Sequence, residues 1–568
     1  MSKRAAPVIV KKAPAKNEKR SAVAQEPAKA SPARFDPNLI ALLIVLFCVA
    51  LIRFGLLDIP LERDEGEYAY IGKLILEGVA PYKSAYNMKL PGTYAMYALL
   101  MSVLGATISG IHLGLLLINA ATSVFLFLAF RKFYNSQIAF FAASVYALMT
   151  LSPAFLGFAA HATHFIGFFV SLGLFFLSRY YNKASLLAGL LSGSMFGLAF
   201  LMKQQAVFFI VFGGLSLLLI AWLHQKQKIS TVAIHGFGFS IGAVIPYLLT
   251  VLILLGAGAF DKFWFWTVTY ASEYVGRVSL EEGKMLLSMM FAPMWEEFKV
   301  IWILFFAGLG LTFLSGLSLT QKIIAVLFAI LAFLTVCPGL LFRSHYFVSF
   351  LPAVGLLAAI SIYYLSDLAS RFLKLRSLAY VPMIIFAVIF ISVVTSAKAY
   401  YMAAEPLEVS KAYYGANPFV ESVEIAHYIK RNSSSTDKIA IMGSEPQIFL
   451  YADRRSATGY IYTYALVEPQ AYNLQMQKEM IKEIEAAKPK FLVSCVVNYS
   501  WLRSPGAPSL IFDWFTKYAQ DNYSIVGITD MQPSGSIYKW GAEALNYAPA
   551  SDNFVLIFKR KDLPTAAQ

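Results

Sequence analysis

Apolar residues run in long blocks along most of this chain. A helix needs about 20 predominantly apolar residues to cross the hydrocarbon core of a bilayer. On that ruler eleven segments predict spanning helices, at 38–57, 109–130, 137–153, 161–180, 184–202, 206–224, 231–256, 299–317, 322–341, 346–366 and 378–398. The polar positions between them are also patterned. Every second loop is short and basic, carrying Arg131-Lys132, Arg179 with Lys183, Lys226 with Lys228, Lys322, and Arg371 with Lys374 and Arg376. Such a bias marks the cytoplasmic side, so the N-terminus is expected inside and the C-terminus, after eleven spans, outside.

The loops of the opposite side differ. The first, 58–108, is long and dense in charge, with Glu62, Arg63, Asp64, Glu65, Glu67, Lys73, Glu77, Lys83 and Lys89. Tyr68, Ile71, Leu74 and Ile75 share one helical face there. This spacing predicts an interfacial helix over 67–77, stopped by Gly78 and Pro81. The semi-apolar stretch 91–104 is shorter than a span and reads as a re-entrant or interfacial helix. Loop 257–299 offers Trp264, Trp266, Tyr270 and Tyr274, suited to a belt at headgroup level. From about residue 400 short apolar runs (439–442, 491–497, 523–528, 554–558) alternate with helical patterns (417–430, 470–487, 509–519). That alternation predicts an α/β domain. The expected division is a basic tail at 1–37, a membrane domain at 38–399 and an extracytoplasmic α/β domain at 400–568.

Composition agrees. Of 568 residues, 58% are hydrophobic and 14% charged, against about 25% charged in soluble domains. The net charge of +14 resides in the tail and the short loops, so membrane topology accounts for it and nucleic acid is not an expected partner. The tail is rich in Ala, Pro and Lys and lacks the apolar core of a signal peptide. It is expected to be disordered and cytoplasmic. Three cysteines, Cys48, Cys337 and Cys495, form no metal-binding or disulfide spacing.

Ionisable groups near membrane segments point to function. His112, His161, His164, Lys203, Arg343 and His345 all fall at the outer ends of their predicted helices, level with the charged first loop. The helix centres are nearly free of charge, which disfavours an ion-coupled transporter. Cations at headgroup depth suit a lipid-borne phosphate. Beside them, Asp64-Glu65 can take a proton from an acceptor hydroxyl while the cations stabilise a departing phosphate. Alternatively the carboxylates hold a divalent metal, with His161 or His164 as further ligands. The sequence requires no cofactor.

Three stretches carry a family resemblance: RDEGEYAYIGKLILEGVAPY with the following KLPGTY, LMKQQA at 201–206, and FRSHYFVSFLP at 342–352. The chain resembles the GT-C superfamily of polyprenyl-phosphate-sugar glycosyltransferases, notably the bacterial relatives of protein O-mannosyltransferases and of the lipid A aminoarabinose transferase. The resemblance implies a GT-C-like bundle of about eleven spans with an extracytoplasmic α/β domain, in the inner membrane of a bacterium. It implies transfer of a sugar from a polyprenyl phosphate to a lipid, glycan or protein acceptor. Asp64 would be the catalytic carboxylate and Glu65 its assistant, with Lys89, Lys203, Arg343 and His345 on the donor phosphate and Arg63 among the nearby cations. Relatives with two prolines after the loop lysine differ from Lys89-Leu90-Pro91 here, which leaves Lys83 as a competitor to Lys89. An oligosaccharide ligase or polymerase using a diphosphate-linked donor, or a lipid or solute transporter, are the alternatives.

Overall fold

The computed structural model describes residues 1–2, 36–373, 380–403 and 405–562. Residues 3–35 of the expected disordered tail, and Lys374 and Arg376, lie outside the described residues.

The first half is a helical bundle. Asp36 caps α1 (Pro37–Phe54), its side chain accepting from the Asn38 amide, with Pro37 in the first turn. There follow α2 (Arg63–Leu76), α3 (Gly92–Leu104), α4 (Ile108–Phe133), α5 (Ser136–Met149), α6 (Ala162–Asn182), α7 (Leu186–Met202), α8 (Val207–Leu219) and α9 (Ile229–Gly256). Helices at Leu280–Leu314, Leu319–Leu334, Leu351–Leu373 and Val381–Ser396 complete the bundle. Among the described residues seven helical stretches are long and apolar enough to cross a membrane. They coincide with seven of the eleven expected segments. The other four are helices of 14, 17, 16 and 16 residues, or about 21–26 Å at 1.5 Å per residue. α5, the shortest, is buried along nearly its whole length, lying against α4 and the Leu351–Leu373 helix. α7 packs between α6 and α9.

Two expectations for the outer loops change. Loop 257–299 is helical for much of its length. Its second half is the start of the Leu280–Leu314 helix, which holds Pro293 and bends at Phe298. Trp266 and Tyr270 do not face lipid headgroups; both are buried. Trp266 stacks on Tyr86, and the Tyr270 hydroxyl donates to Glu468 at 2.7 Å. Trp264 remains exposed.

The C-terminal part is α/β, with a six-stranded mixed sheet in the order β2-β1-β3-β6-β4-β5. The strands are β1 (Lys438–Met442), β2 (Arg455–Ser456), β3 (Phe491–Val496), β4 (Tyr523–Gln532), β5 (Gly535–Trp540) and β6 (Phe554–Arg560). β1 runs parallel to β2 and β3, while β6 is antiparallel to β3 and β4. The helices Phe419–Arg431, Asn473–Ala487 and Leu510–Asn522 fall on the three predicted helical patterns.

α2 joins the two parts. It packs on α3 on one side and on the short Gln447–Ala452 helix on the other. At Gly66 any Cβ would lie 2.5 Å from the Gln447 amide nitrogen, so only glycine lets these helices approach so closely. Further bonds tie the seam: the Leu61 amide donates to the Tyr451 hydroxyl at 2.8 Å, the Ser456 amide to the Tyr70 hydroxyl at 2.8 Å, and Arg455 to Glu77 at 2.9 Å. The helix expected to float at the interface over 67–77 therefore begins four residues earlier and is covered on both faces.

Candidate active site

Glu62 starts α2 through a capping box. Its carboxylate accepts from the Glu65 amide at 2.9 Å, and the Glu65 carboxylate accepts from the Glu62 amide at 3.3 Å. The cap turns Arg63, Asp64, Glu65 and Glu67 into one helical turn, where negative charge is favoured by the helix dipole. Because successive positions point about 100° apart, each meets different neighbours.

Asp64 faces Lys89, which donates to it at 2.8 Å and to Glu67 at 2.7 Å. Lys89 also lies 4.6 Å from the Tyr68 ring centre and 5.2 Å from that of Tyr462. The Tyr462 hydroxyl, from the α/β domain, donates to Asp64 at 3.2 Å. Behind Lys89, the fully buried Glu67 accepts from Asn87 and from the Tyr94 hydroxyl, each at 2.7 Å. Burial alone would raise the Asp64 pKa, but the Lys89 ammonium and His161 hold it well below the usual carboxylate range. Lys89 is correspondingly raised: burial opposes its charge, and Asp64 and Glu67 more than offset that. Asp64 is thus an anion whose proton affinity is lowered chiefly by Lys89.

Around this pair stand residues from distant helices. His161, at the N-terminus of α6, stacks on His345 with ring centres 3.9 Å apart. Neither ring nitrogen of His161 has a hydrogen-bond partner although both are buried. One donor atom each from Asp64, His161 and His345 lie within 4.8 Å of one another. Lys203, at the end of α7, sits 3.6 Å over the Tyr346 ring. Burial, with Lys89 and Arg343 nearby, pushes its pKa down to about 7 despite Asp64. Arg343 is exposed at the same end.

Other expected site residues are placed elsewhere. Glu65 accepts from His112 at 3.0 Å and from the Ala160 amide at 2.6 Å. It braces α2 against α4 and the start of α6 and does not face Lys89. His164 bonds Asn119 at 3.0 Å and is not part of the Asp64 cluster. Arg63 donates to Glu445 at 2.6 Å, to the Ser444 carbonyl at 2.5 Å and to Asn417 at 3.0 Å. It clamps α2 to the α/β domain, and its guanidinium is engaged there. Lys83 is exposed, so the geometry favours Lys89 over it. Glu67, which reads in sequence as an ordinary first-turn acid, is instead Lys89's second carboxylate. Tyr462 carries no signal of its own within the aromatic stretch 460–464.

A comparison with curated proteins finds no match. Residues 89–253, from the site lysine through α9, match the family described as dolichyl-phosphate-mannose-protein mannosyltransferase. Similar structures include ArnT from Cupriavidus metallidurans bound to undecaprenyl phosphate, 15% identical with a TM-score of 0.56, covering 91% of this chain and 97% of that one. The archaeal oligosaccharyltransferase AglB from Archaeoglobus fulgidus, in complex with an inhibitory peptide and a dolichol-phosphate, is 13% identical with a TM-score of 0.52. That alignment covers 90% of this chain and 75% of AglB. Over nine-tenths of its length the chain thus shares the fold of these two proteins, and its stretch from Lys89 into α9 matches the mannosyltransferase family.

Proposed function

We propose that this protein is a membrane glycosyltransferase that moves a sugar from a polyprenyl-phosphate donor to an envelope acceptor, with Asp64 as the catalytic carboxylate. The observation that carries the reading is the half-buried Asp64–Lys89 pair, with the Lys203 charge nearby, on the turn of α2 that His112 of α4 also reaches. The ArnT and AglB structures hold undecaprenyl phosphate and dolichol-phosphate, which supports a lipid-borne phosphate here. Lys89, Lys203 and Arg343 are the cations placed to receive it.

In this reading the donor phosphate draws Lys89 away from Asp64. Losing that partner raises the proton affinity of Asp64, which turns an inert anion into a base as the donor binds. The acceptor oxygen or nitrogen attacks the anomeric carbon, its proton passes to Asp64, and the bond from that carbon to the phosphate oxygen breaks. Polyprenyl phosphate leaves with the electron pair, stabilised by the cations. One direct displacement inverts the anomeric centre. Asp64, His161 and His345 also fit a divalent cation, given the unpartnered His161 nitrogens; such an ion would supply positive charge for the leaving phosphate.

The site is assigned to the extracytoplasmic face of a bacterial inner membrane. The acceptor can be lipid, glycan or protein. The test is a transfer assay on membranes from cells making Asp64→Asn. Transfer should fall at least 10²-fold, as loss of a general base does, while insertion and yield match the wild type. Full activity would refute the assignment. Product of retained anomeric configuration would refute the single displacement.

A further inference from the structure

At the other end of the bundle lies a cavity of about 700 Å³ between α4, α6 and α7. It is remote from the site. α4 carries His112 at the Asp64 end and Arg131 nineteen residues later, roughly 28 Å along the helix at 1.5 Å per residue. α6 likewise runs from His161 to Arg179. The cavity is lined by four cations, Arg131, Lys132, Arg179 and Lys183. None of the four has an ion-pair partner among the described residues; Asp36 senses the charge of Arg131 from a distance. Arg131 and Arg179 rest over the rings of Phe127 and Phe175, 5.7 and 5.6 Å from their centres, which spreads them around the opening. Apolar side chains, among them Leu128, Phe176 and Leu191, line the cavity beside Ser178, Asn182 and Ser185.

Cations at a helix end need only reach water to orient a protein. Here they converge on a concavity that apolar side chains of α4, α6 and α7 also line, which is the arrangement that holds an anionic headgroup above its acyl chains. The volume is in the range of small-ligand sites. We infer that this cavity binds an anionic glycerophospholipid of the leaflet opposite the Asp64 site. The lipid phosphate pairs with the four cations and an acyl chain lies along Leu128 and Leu191. The occupant is a resident lipid that fills the seam between α4, α6 and α7, and it takes no part in transfer.

Native mass spectrometry of the full-length protein, released from nanodiscs of phosphatidylglycerol and phosphatidylcholine in equal amounts, tests this. The wild type should retain phosphatidylglycerol in preference. Lys132→Gln with Lys183→Gln should lower its retention at least fivefold. Lys226→Gln with Lys228→Gln, which removes two cations of the same membrane face outside the cavity, should leave retention unchanged. Equal loss in both pairs would reduce the effect to general surface charge and overturn the proposal, as would no loss in the first pair or no lipid preference in the wild type. Retention of undecaprenyl phosphate in place of phosphatidylglycerol, lost in the first pair only, would overturn the assigned lipid class.

Discussion

At the scale of single residues, the centre is a lysine between two carboxylates. Tyr462 adds a hydroxyl to the Asp64 oxygen that Lys89 also holds. A hydrogen bond to a charged group contributes about 1.5–3 kcal/mol, so Tyr462→Phe is expected to lower kcat/KM by roughly tenfold or more without loss of fold, measured by steady-state transfer. Lys203 supplies a pH dependence. Its pKa of about 7 lies below its usual range because burial disfavours the ammonium. An anionic donor favours that ammonium, so binding takes up a proton once the pH exceeds about 7. Donor affinity should therefore fall as pH rises from 7 to 9, by up to tenfold per unit, and Lys203→Arg should flatten the profile. The charge-dense stretch that holds Asp64 and Lys89 was legible in the sequence, but its pairing was not, since Lys83 and Glu65 offered the same charges a few residues away. Glu67 was not: a carboxylate in a first helical turn reads as solvated until a partner 22 residues away is brought over it.

At the scale of elements, α2 is held by its cap at one end and by the Arg63–Glu445 pair, whose partners are both buried. Removing one member of such a pair leaves an uncompensated charge, which costs about 3–5 kcal/mol. Glu445→Ala is expected to lower the thermal midpoint in detergent clearly, and Arg63→Met with Glu445→Leu to recover much of the loss. Equal loss in single and double variants would show that other groups hold the seam. All eleven apolar blocks became helices because hydrophobic length dictates helix in lipid. The start of α2 was hidden because the cap of its capping box is Glu62, where serine or threonine is usual. β5 escaped notice because it is an edge strand, half-buried along its length, with no apolar run to mark it. β2 spans only two residues.

At the scale of the whole molecule, the charged ends sort cleanly. Asp64, His161, Lys203 and His345 gather with the α/β domain, while Arg131, Lys132, Arg179 and Lys183 gather at the far end of the same helices. This polarity sets a topology experiment. In a variant lacking the three native cysteines, Lys83→Cys should react with a membrane-impermeant maleimide on intact spheroplasts, and Lys183→Cys only after permeabilisation. The opposite pattern would reverse the orientation. Bundle and sheet could each be read from periodicity, but their joint could not, since a seam between two parts leaves no local pattern in either.

That joint also sets a schedule for biosynthesis. Asp64 and the tyrosine that completes its surroundings are 398 residues apart. At 5–20 residues per second, a ribosome needs roughly 20 to 80 s to travel between them. Throughout that interval the bundle can enter the membrane, and its lysine–carboxylate centre can form, with α2 still uncovered on one face. The site closes only when the last quarter of the chain has emerged and folded onto α2. A nascent chain stalled within the membrane segments thus lacks the hydroxyl that Tyr462 brings to Asp64, and the surroundings of Asp64 are completed only when synthesis is nearly finished.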